Sequence, residues 1–351
     1  MKERARNYLK AVRFEHPDHI PMTFGINDAC WNAYPQDRLF DLMESHPLLF
    51  PDFHRPAGHF TPQYAAVARK DHPFTDDFGC VWTTSTDGIT GTVTEHPLED
   101  WDRFDHYQAP DPAKCMGIGP IDWKEVAEQF AAARENGDLV CGGLRHGHTF
   151  LQLCDLRGYE NLLFDMIDEE PRLWKLIELV EQFNQEIVNR YIALGADQIS
   201  YAEDLGMQVG PMLSPQMFRT YIKPSYQRLM KPARDKGLII HMHSDGDIRE
   251  LCDDLIDSGV QIINLQDRIN GIDWIADRFR GRICVELDID RQKITRFGTP
   301  REIDSLIREE VEKIAVPQGG LMMIYGLYPG VPLENVKALM DAMEKYAFYF
   351  D

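Results

Sequence analysis

The sequence predicts an α/β protein folded as a (β/α)8 barrel of the TIM type, a single domain spanning residues 1–351. From about residue 137, short apolar runs alternate with longer amphipathic stretches, the pattern of strand-helix units built around a parallel sheet. With two earlier runs included the candidate strands number eight, as a closed barrel requires. Several of them end in carboxylates and imidazoles, which is where strands of such barrels meet the catalytic rim.

The first candidate strand is Ile20-Pro21-Met22-Thr23-Phe24-Gly25, and the second is Leu48-Leu49-Phe50-Pro51-Asp52-Phe53, interrupted by a proline. Over 74–97, β-branched and polar residues alternate around Asp87-Gly88, which predicts a β-hairpin inserted after the second strand. The remaining strands are expected at 138–145, 196–204, 237–246, 260–267, 283–290 and 320–327. Helical periodicity marks 159–194, 215–236, 248–258 and 300–314, with Ser214-Pro215 and Thr299-Pro300 supplying a cap followed by proline at the first helical position. No repeat, linker or low-complexity tract divides the chain, so one domain is expected.

Composition narrows the function. With 44% hydrophobic and 27% charged residues the chain can bury a large core. A net charge of −20 repels nucleic-acid backbones and anionic membranes, so neither is expected as a partner. The seven cysteines are scattered and contain no C-x-x-C pair, which argues against a disulfide framework or a thiolate zinc finger and for a reducing cytoplasm. No stretch of about 18 apolar residues and no signal-peptide core occurs, so a cytoplasmic protein is expected. Association through barrel helices would give a homodimer.

The strand ends carry the chemistry. Asp28, Glu203, Asp204, His243, Asp245, Gln266, Glu286, Asp288 and Tyr325 all fall at or just beyond candidate strand ends. So many carboxylates on one rim need a cation or a protonated partner. His243 and Asp245, spaced i, i+2, share one face of their strand, and Glu203 and Tyr325 are candidates to complete a shell of nitrogen and oxygen donors. Such a shell suits zinc, manganese, iron or magnesium. The competing reading is a hydrogen-bonded His243–Asp245 pair that orders the turn at Gly246, with Asp247 as a helix cap. His241 points the same way as His243 but lies deeper. The cluster Arg145-His146-Gly147-His148 reads either as a contact for an anionic substrate, through His148, or as a solvated loop. Trp31, Trp82 and Trp101 are either covers for a flat ligand or satellite core.

Residues along the whole chain bear a resemblance to a known family. Glu15-His16-Pro17-Asp18-His19-Ile20-Pro21, Leu156-Arg157-Gly158-Tyr159-Glu160-Asn161, Leu213-Ser214-Pro215-Gln216-Met217-Phe218, His243-Ser244-Asp245-Gly246, Gly298-Thr299-Pro300-Arg301-Glu302 and Pro332-Leu333-Glu334-Asn335-Val336 are similar to motifs of the uroporphyrinogen decarboxylase superfamily. The chain resembles its corrinoid-dependent methyltransferase branch more than the true decarboxylases, because Phe24-Gly25-Ile26-Asn27-Asp28 lacks the arginines that grip propionate groups. In that branch a His-x-Cys-Gly turn and a later cysteine bind zinc. The resemblance puts His243, Asp245 and Tyr325 on those positions, with oxygen in place of sulfur.

The resemblance implies a metal-dependent methyltransferase or demethylase that moves a methyl group between a small O- or N-methylated substrate and a corrinoid protein. A divalent metal, zinc by resemblance, would be held by His243, Asp245 and Glu203. Tyr325 and Asp204 would act as catalytic groups, and Asp28, His148, Gln266 and Glu286 would contact substrate. Two alternatives are a uroporphyrinogen decarboxylase-like carboxy-lyase acting on a porphyrinogen or a smaller acid, and a non-catalytic ligand-binding barrel.

Overall fold

The computed structural model describes residues 1–350. Ten strands form in chain order: β1 (Met22–Ile26), β2 (Phe74–Thr75), β3 (Val81–Thr83), β4 (Thr92–Glu95), β5 (Cys141–Gly143), β6 (Gln198–Ala202), β7 (Ile239–Ser244), β8 (Ile262–Gln266), β9 (Cys284–Asp288) and β10 (Leu321–Leu327). Seven make one sheet in the order β1-β10-β9-β8-β7-β6-β5, with helices between successive strands. Each pairing with a determined register in this sheet is parallel. This is the TIM-barrel type of alternation.

One expectation needs correction. The segment Leu48–Phe53 is not a strand: it is turn, with the Phe50 amide bonded to the His46 carbonyl at 3.0 Å and the Phe53 amide to Phe50 at 3.1 Å. Pro51 has no amide proton to offer a ladder, and seven parallel strands form among the described residues in place of eight. The expected inserted hairpin is present as the antiparallel pair β3-β4, and a tight turn at Asp76–Gly79 adds the short strand β2 before it.

The chain divides into two compact units, one comprising Met1–Ala5, Pro73–Thr83 and Gly91–Asn264, the other Arg6–His72, Thr84–Thr90 and Leu265–Asp351. In the first, β5, β6 and β7 pair so that Gly143 lies beside Ser200 and Ala202 beside His243. Ile240, Met242 and Ser244 are fully buried, while His241 and His243 are half-buried on the opposite face, the period-2 pattern of a strand. Gly142 has to be glycine: a Cβ there would meet the Tyr191 ring at 2.4 Å, where the helix Pro171–Ala193 crosses β5. The helical stretch 159–194 is two helices, Tyr159–Ile167 and Pro171–Ala193, separated where Glu169 adopts a positive φ and Pro171 starts the next.

In the second unit, β1, β10 and β9 pair so that Phe24 lies beside Tyr325 and Met323 beside Leu287. The helix Pro300–Ile314 begins at the residue its sequence announces: the Thr299 hydroxyl accepts from the Glu302 amide and Glu302 accepts from the Thr299 amide. Its inner face carries Ile303, Ile307 and Val311, and also Glu310, which is fully buried. No hydrogen-bond partner reaches the Glu310 oxygens, and the neighbouring charge that bears on them most is the carboxyl of buried Asp267. Asp267 in turn accepts from the amides of Arg268 and Asp290. Two buried carboxyls that act on each other this strongly are accommodated together only if one keeps its proton. Burial, and then the Asp267 charge, push the Glu310 carboxyl well above the usual carboxylate range.

The sign of the linkage follows. A group whose folded pKa is raised gives stability that is complete below its unfolded value and disappears as pH climbs through the folded value. Glu310→Gln keeps a donor toward Asp267 without needing the proton. Urea unfolding from about pH 5 to about pH 9 should therefore show the variant gaining on the parent by up to about 1.4 kcal/mol per pH unit from the acid end of the range upward, until the folded Glu310 carboxyl ionises and the difference levels off. Parallel profiles for the two proteins would mean that the pair does not hold the proton.

Candidate metal centre

Three successive strands of the first unit deliver polar side chains just past their carboxyl ends: His146 after β5, Asp204 after β6, and His243 with Asp245 at the end of β7. Nε2 of His146 lies 3.2 Å from Oδ1 of Asp204, and Nε2 of His243 lies 3.6 Å from the same oxygen. One ligand atom from each of these three residues falls within 4.8 Å of the others. Asp245 flanks them, its Oδ1 3.7 Å from Nε2 of His243 and its amide donating to Oδ1 of Asp204 at 3.0 Å.

Backbone contacts set this spacing. Gly246, at φ +82°, presses against Gly206, and a Cβ on Gly246 would sit 2.2 Å from the Gly206 carbonyl carbon. Only two glycines allow the loops after β6 and β7 to touch and bring Asp204 to Asp245. The loop after β6 is then held by the Asp247 amide donating to the Met207 carbonyl and by the Gly210 amide donating to the Asp247 carboxylate. His243 is oriented from behind. Its Nδ1 donates to Oδ1 of Asn264 at 2.5 Å, which leaves Nε2 facing Asp204.

The electrostatics match the geometry. Burial opposes charge on His243, yet hydrogen bonds to Asp204 and Asn264 and the charges of Asp245 and Asp204 push its pKa up to about 9. Burial likewise opposes charge on Asp204, yet hydrogen bonds from His146 and His243 hold its carboxyl far below the usual carboxylate range. The side chains remain open to solvent, from 20% for His243 to 51% for His146. Two imidazole nitrogens and a carboxylate oxygen, with the inner imidazole steered by an amide oxygen, are a donor set suited to a divalent cation.

The other candidates from the sequence have different surroundings. Glu203 is fully buried and lies outside this cluster. Its Oε1 accepts from the amides of Thr149 and Leu151 at 2.9 and 2.8 Å, at the start of the helix Phe150–Arg157, and its Oε2 accepts the Tyr226 hydroxyl. Burial pushes its pKa up to about 7. His148 is buried too, packed on the rings of Tyr201 and Tyr226 and bonded through Nδ1 to the Thr149 hydroxyl; burial lowers its pKa to about 3. His241 pairs with the Ser200 hydroxyl at 2.9 Å.

The second unit holds Asp28, Gln266, Glu286 and Tyr325. Asp28 is exposed in the turn after β1, and Gln266 and Glu286 are half-buried on β8 and β9. Tyr325 is buried against Phe24, and its hydroxyl donates to Thr295 at 3.3 Å; burial pushes its pKa up to about 12.

Sequence reasoning did not single out Asn264 and read His146 only as part of a solvated or substrate-contacting loop. Asn264 does leave a trace, as the one polar residue inside the apolar run Ile262-Ile263-Asn264-Leu265.

The sequence profile of the uroporphyrinogen decarboxylase (URO-D) family matches residues 75–346. The Methylcobamide:CoM methyltransferase MtaA of Methanosarcina barkeri is 27% identical over 167 residues, 45% of this chain and 44% of that protein. The uroporphyrinogen decarboxylase of Prochlorococcus marinus (strain NATL1A) is 26% identical over 188 residues, 50% of this chain and 49% of its own. The chain thus spans about half the length of the curated relatives it matches. A solved methyltransferase from Methanosarcina mazei superposes with a TM-score of 0.65, covering 98% of each chain at 20% identity, and shares the fold. With most of its length matched by that profile, the chain belongs to the uroporphyrinogen decarboxylase family.

Proposed function

We propose that the protein is a metal-dependent methyltransferase or demethylase that moves a methyl group between a small O- or N-methylated substrate and a corrinoid protein. The observation that carries this reading is the sulfur-free cluster His146, Asp204 and His243 at successive strand ends of the first unit. Those three would hold a divalent ion, zinc being the first candidate, with Asp245 flanking them. When bound, the ion supplies Lewis acidity that makes an oxygen or nitrogen of the substrate a better leaving group.

The chain's own groups do the rest. Asn264 keeps Nε2 of His243 turned toward Asp204, and the touching glycines hold both loops in place. Nitrogen and oxygen donors make a harder centre than thiolates do, which favours ether, hydroxyl or amine substrates over thiols. Glu203 serves as an anchor, since it caps a helix and binds a tyrosine rather than facing the cluster. The methyl carbon would exchange its bond to the substrate heteroatom for one to the partner's corrinoid, and the departing heteroatom would take up a proton at the solvent-open rim. A cytoplasmic location fits a chain in which none of the seven cysteines forms a disulfide and, among the described residues, no helix is long and apolar enough to cross a membrane.

A second reading, a carboxy-lyase, draws on the decarboxylase relatives, which are as similar as the methyltransferase ones. Incubation with uroporphyrinogen on one side, and with methoxylated aromatics plus reduced cobalamin on the other, separates the two by product.

Elemental analysis of protein purified without chelator should find about one equivalent of a divalent metal, or zinc titration should load it. His243→Ala and His146→Ala should each abolish tight binding while circular dichroism stays unchanged. A folded parent that takes up no divalent ion would end the metal reading. Asn264→Ala should weaken metal binding by about 10–100-fold, the usual cost of losing a group that orients a ligand. Nitrogen-15 NMR above about pH 9, where the His243 ring is neutral, should then show that it no longer prefers the Nδ1–H tautomer.

A further inference from the structure

We propose that Arg145 is a positioning residue of this centre: its buried guanidinium, clamped by Asp155 and Asp76, holds the backbone of His146 where the imidazole can meet Asp204. This rests on the metal reading above.

Arg145 follows β5 and directly precedes His146. Its side chain is only 4% exposed, unusual for an arginine next to an open rim. Nη2 donates to Asp155 at 2.9 Å, Nη1 lies 3.7 Å from Asp76, and the guanidinium sits over the Trp82 ring at 5.6 Å. The carboxylates are themselves fixed. Asp76 accepts from the indole N–H of Trp82 and the amide of Cys80, each at 2.9 Å. The Asp155 backbone carbonyl takes the imidazole of His96 at 2.8 Å.

Nη1 makes no hydrogen bond, and Nε faces the site. Nε of Arg145 donates to the carbonyl of His146 at 3.2 Å, while the next amide, that of Gly147, donates to the carbonyl of Ala202 on β6 at 2.8 Å. His146 is therefore pinned on both sides, and Gly147 makes the turn at φ +75°. The His146 side chain is half exposed, with the His243 ring 5.7 Å away as its ring neighbour, so a fixed backbone is what keeps Nε2 within reach of Asp204. Were Arg145 there only to balance Asp155 and Asp76, a lysine ammonium would serve as well. A donor aimed at the carbonyl of His146 is what the guanidinium adds.

The test uses Arg145→Lys, which keeps the charge but loses the fork, and Arg145→Met, which keeps the volume. Cobalt(II) is titrated into both and into the parent, reading affinity and the visible ligand-field spectrum, and amide hydrogen exchange is followed at Gly147 without metal. The expected result is cobalt affinity about 10–100-fold weaker, a spectrum shifted toward that of His146→Ala, and faster exchange at Gly147. Parental affinity, spectrum and Gly147 exchange in Arg145→Lys would overturn the proposal, even if its melting temperature fell, and would leave Arg145 a structural anchor. If Arg145→Met fails to fold, Arg145→Lys alone decides. If the parent binds no cobalt, the metal reading fails, and Gly147 exchange still decides whether Arg145 holds this turn.

Discussion

Oδ1 of Asp204 is the atom around which the rim of the first unit is arranged. It takes the imidazole of His146 from β5, the amide of Asp245 from β7, and the approach of His243. A carboxylate whose side chain is only 31% exposed gains from charge compensation close at hand. The three loops meet because each brings part of that compensation. The same demand can be met by a proton on His243 or by a metal ion between the imidazoles and the oxygen, so the features that stabilise this rim also prepare it to bind a cation. Gly206 and Gly246 are the covalent condition for it, since any side chain there would drive the loops apart.

Neighbours in sequence can have opposite roles. Glu203 and Asp204 point to opposite sides of their backbone, as consecutive residues of an extended chain do. Glu203 goes into the helix layer, where two amides at the start of Phe150–Arg157 and the Tyr226 hydroxyl satisfy it. Asp204 goes to the rim. By tying the helix after β5 to the end of β6, Glu203 fixes the plane from which Asp204 and His146 both project.

Much of the fold was legible because its signals are local. The capping box at Thr299 and Glu302, the proline at position 300 and the apolar runs of β6, β7, β9 and β10 depend on residues a few positions apart. The false second strand failed for an equally local reason, a proline in its middle, which apolar composition outweighed. The site was legible only in part. Spacing on one strand identified His243 and Asp245. No local signal could say which of two adjacent carboxylates faces the rim, because a helix start more than 50 residues upstream settles it. His146 looks solvated in sequence because its partner, Asp204, is 58 residues away.

The resemblance puts oxygen donors at positions where it implies sulfur, and such a one-for-one exchange does not carry a site over. Aspartate places a harder donor one bond farther from the backbone than cysteine does, so replacing a thiolate in place would not preserve a thiolate site's reach or softness. The chain's candidate set instead lies around Asp204, with an imidazole from β5 joining the one on β7, and the counterpart of the later thiolate, Tyr325, is a buried hydroxyl bonded to Thr295. All three candidate ligands then come from adjacent parallel strands of one unit, whose relative positions the hydrogen-bond register sets directly. A centre built that way depends on the stiffness of three loops rather than on ligands spread across the fold. That dependence explains why groups that offer the cluster no ligand atom, Asn264, Glu203 and the paired glycines, are as sharply fixed as the residues that form it.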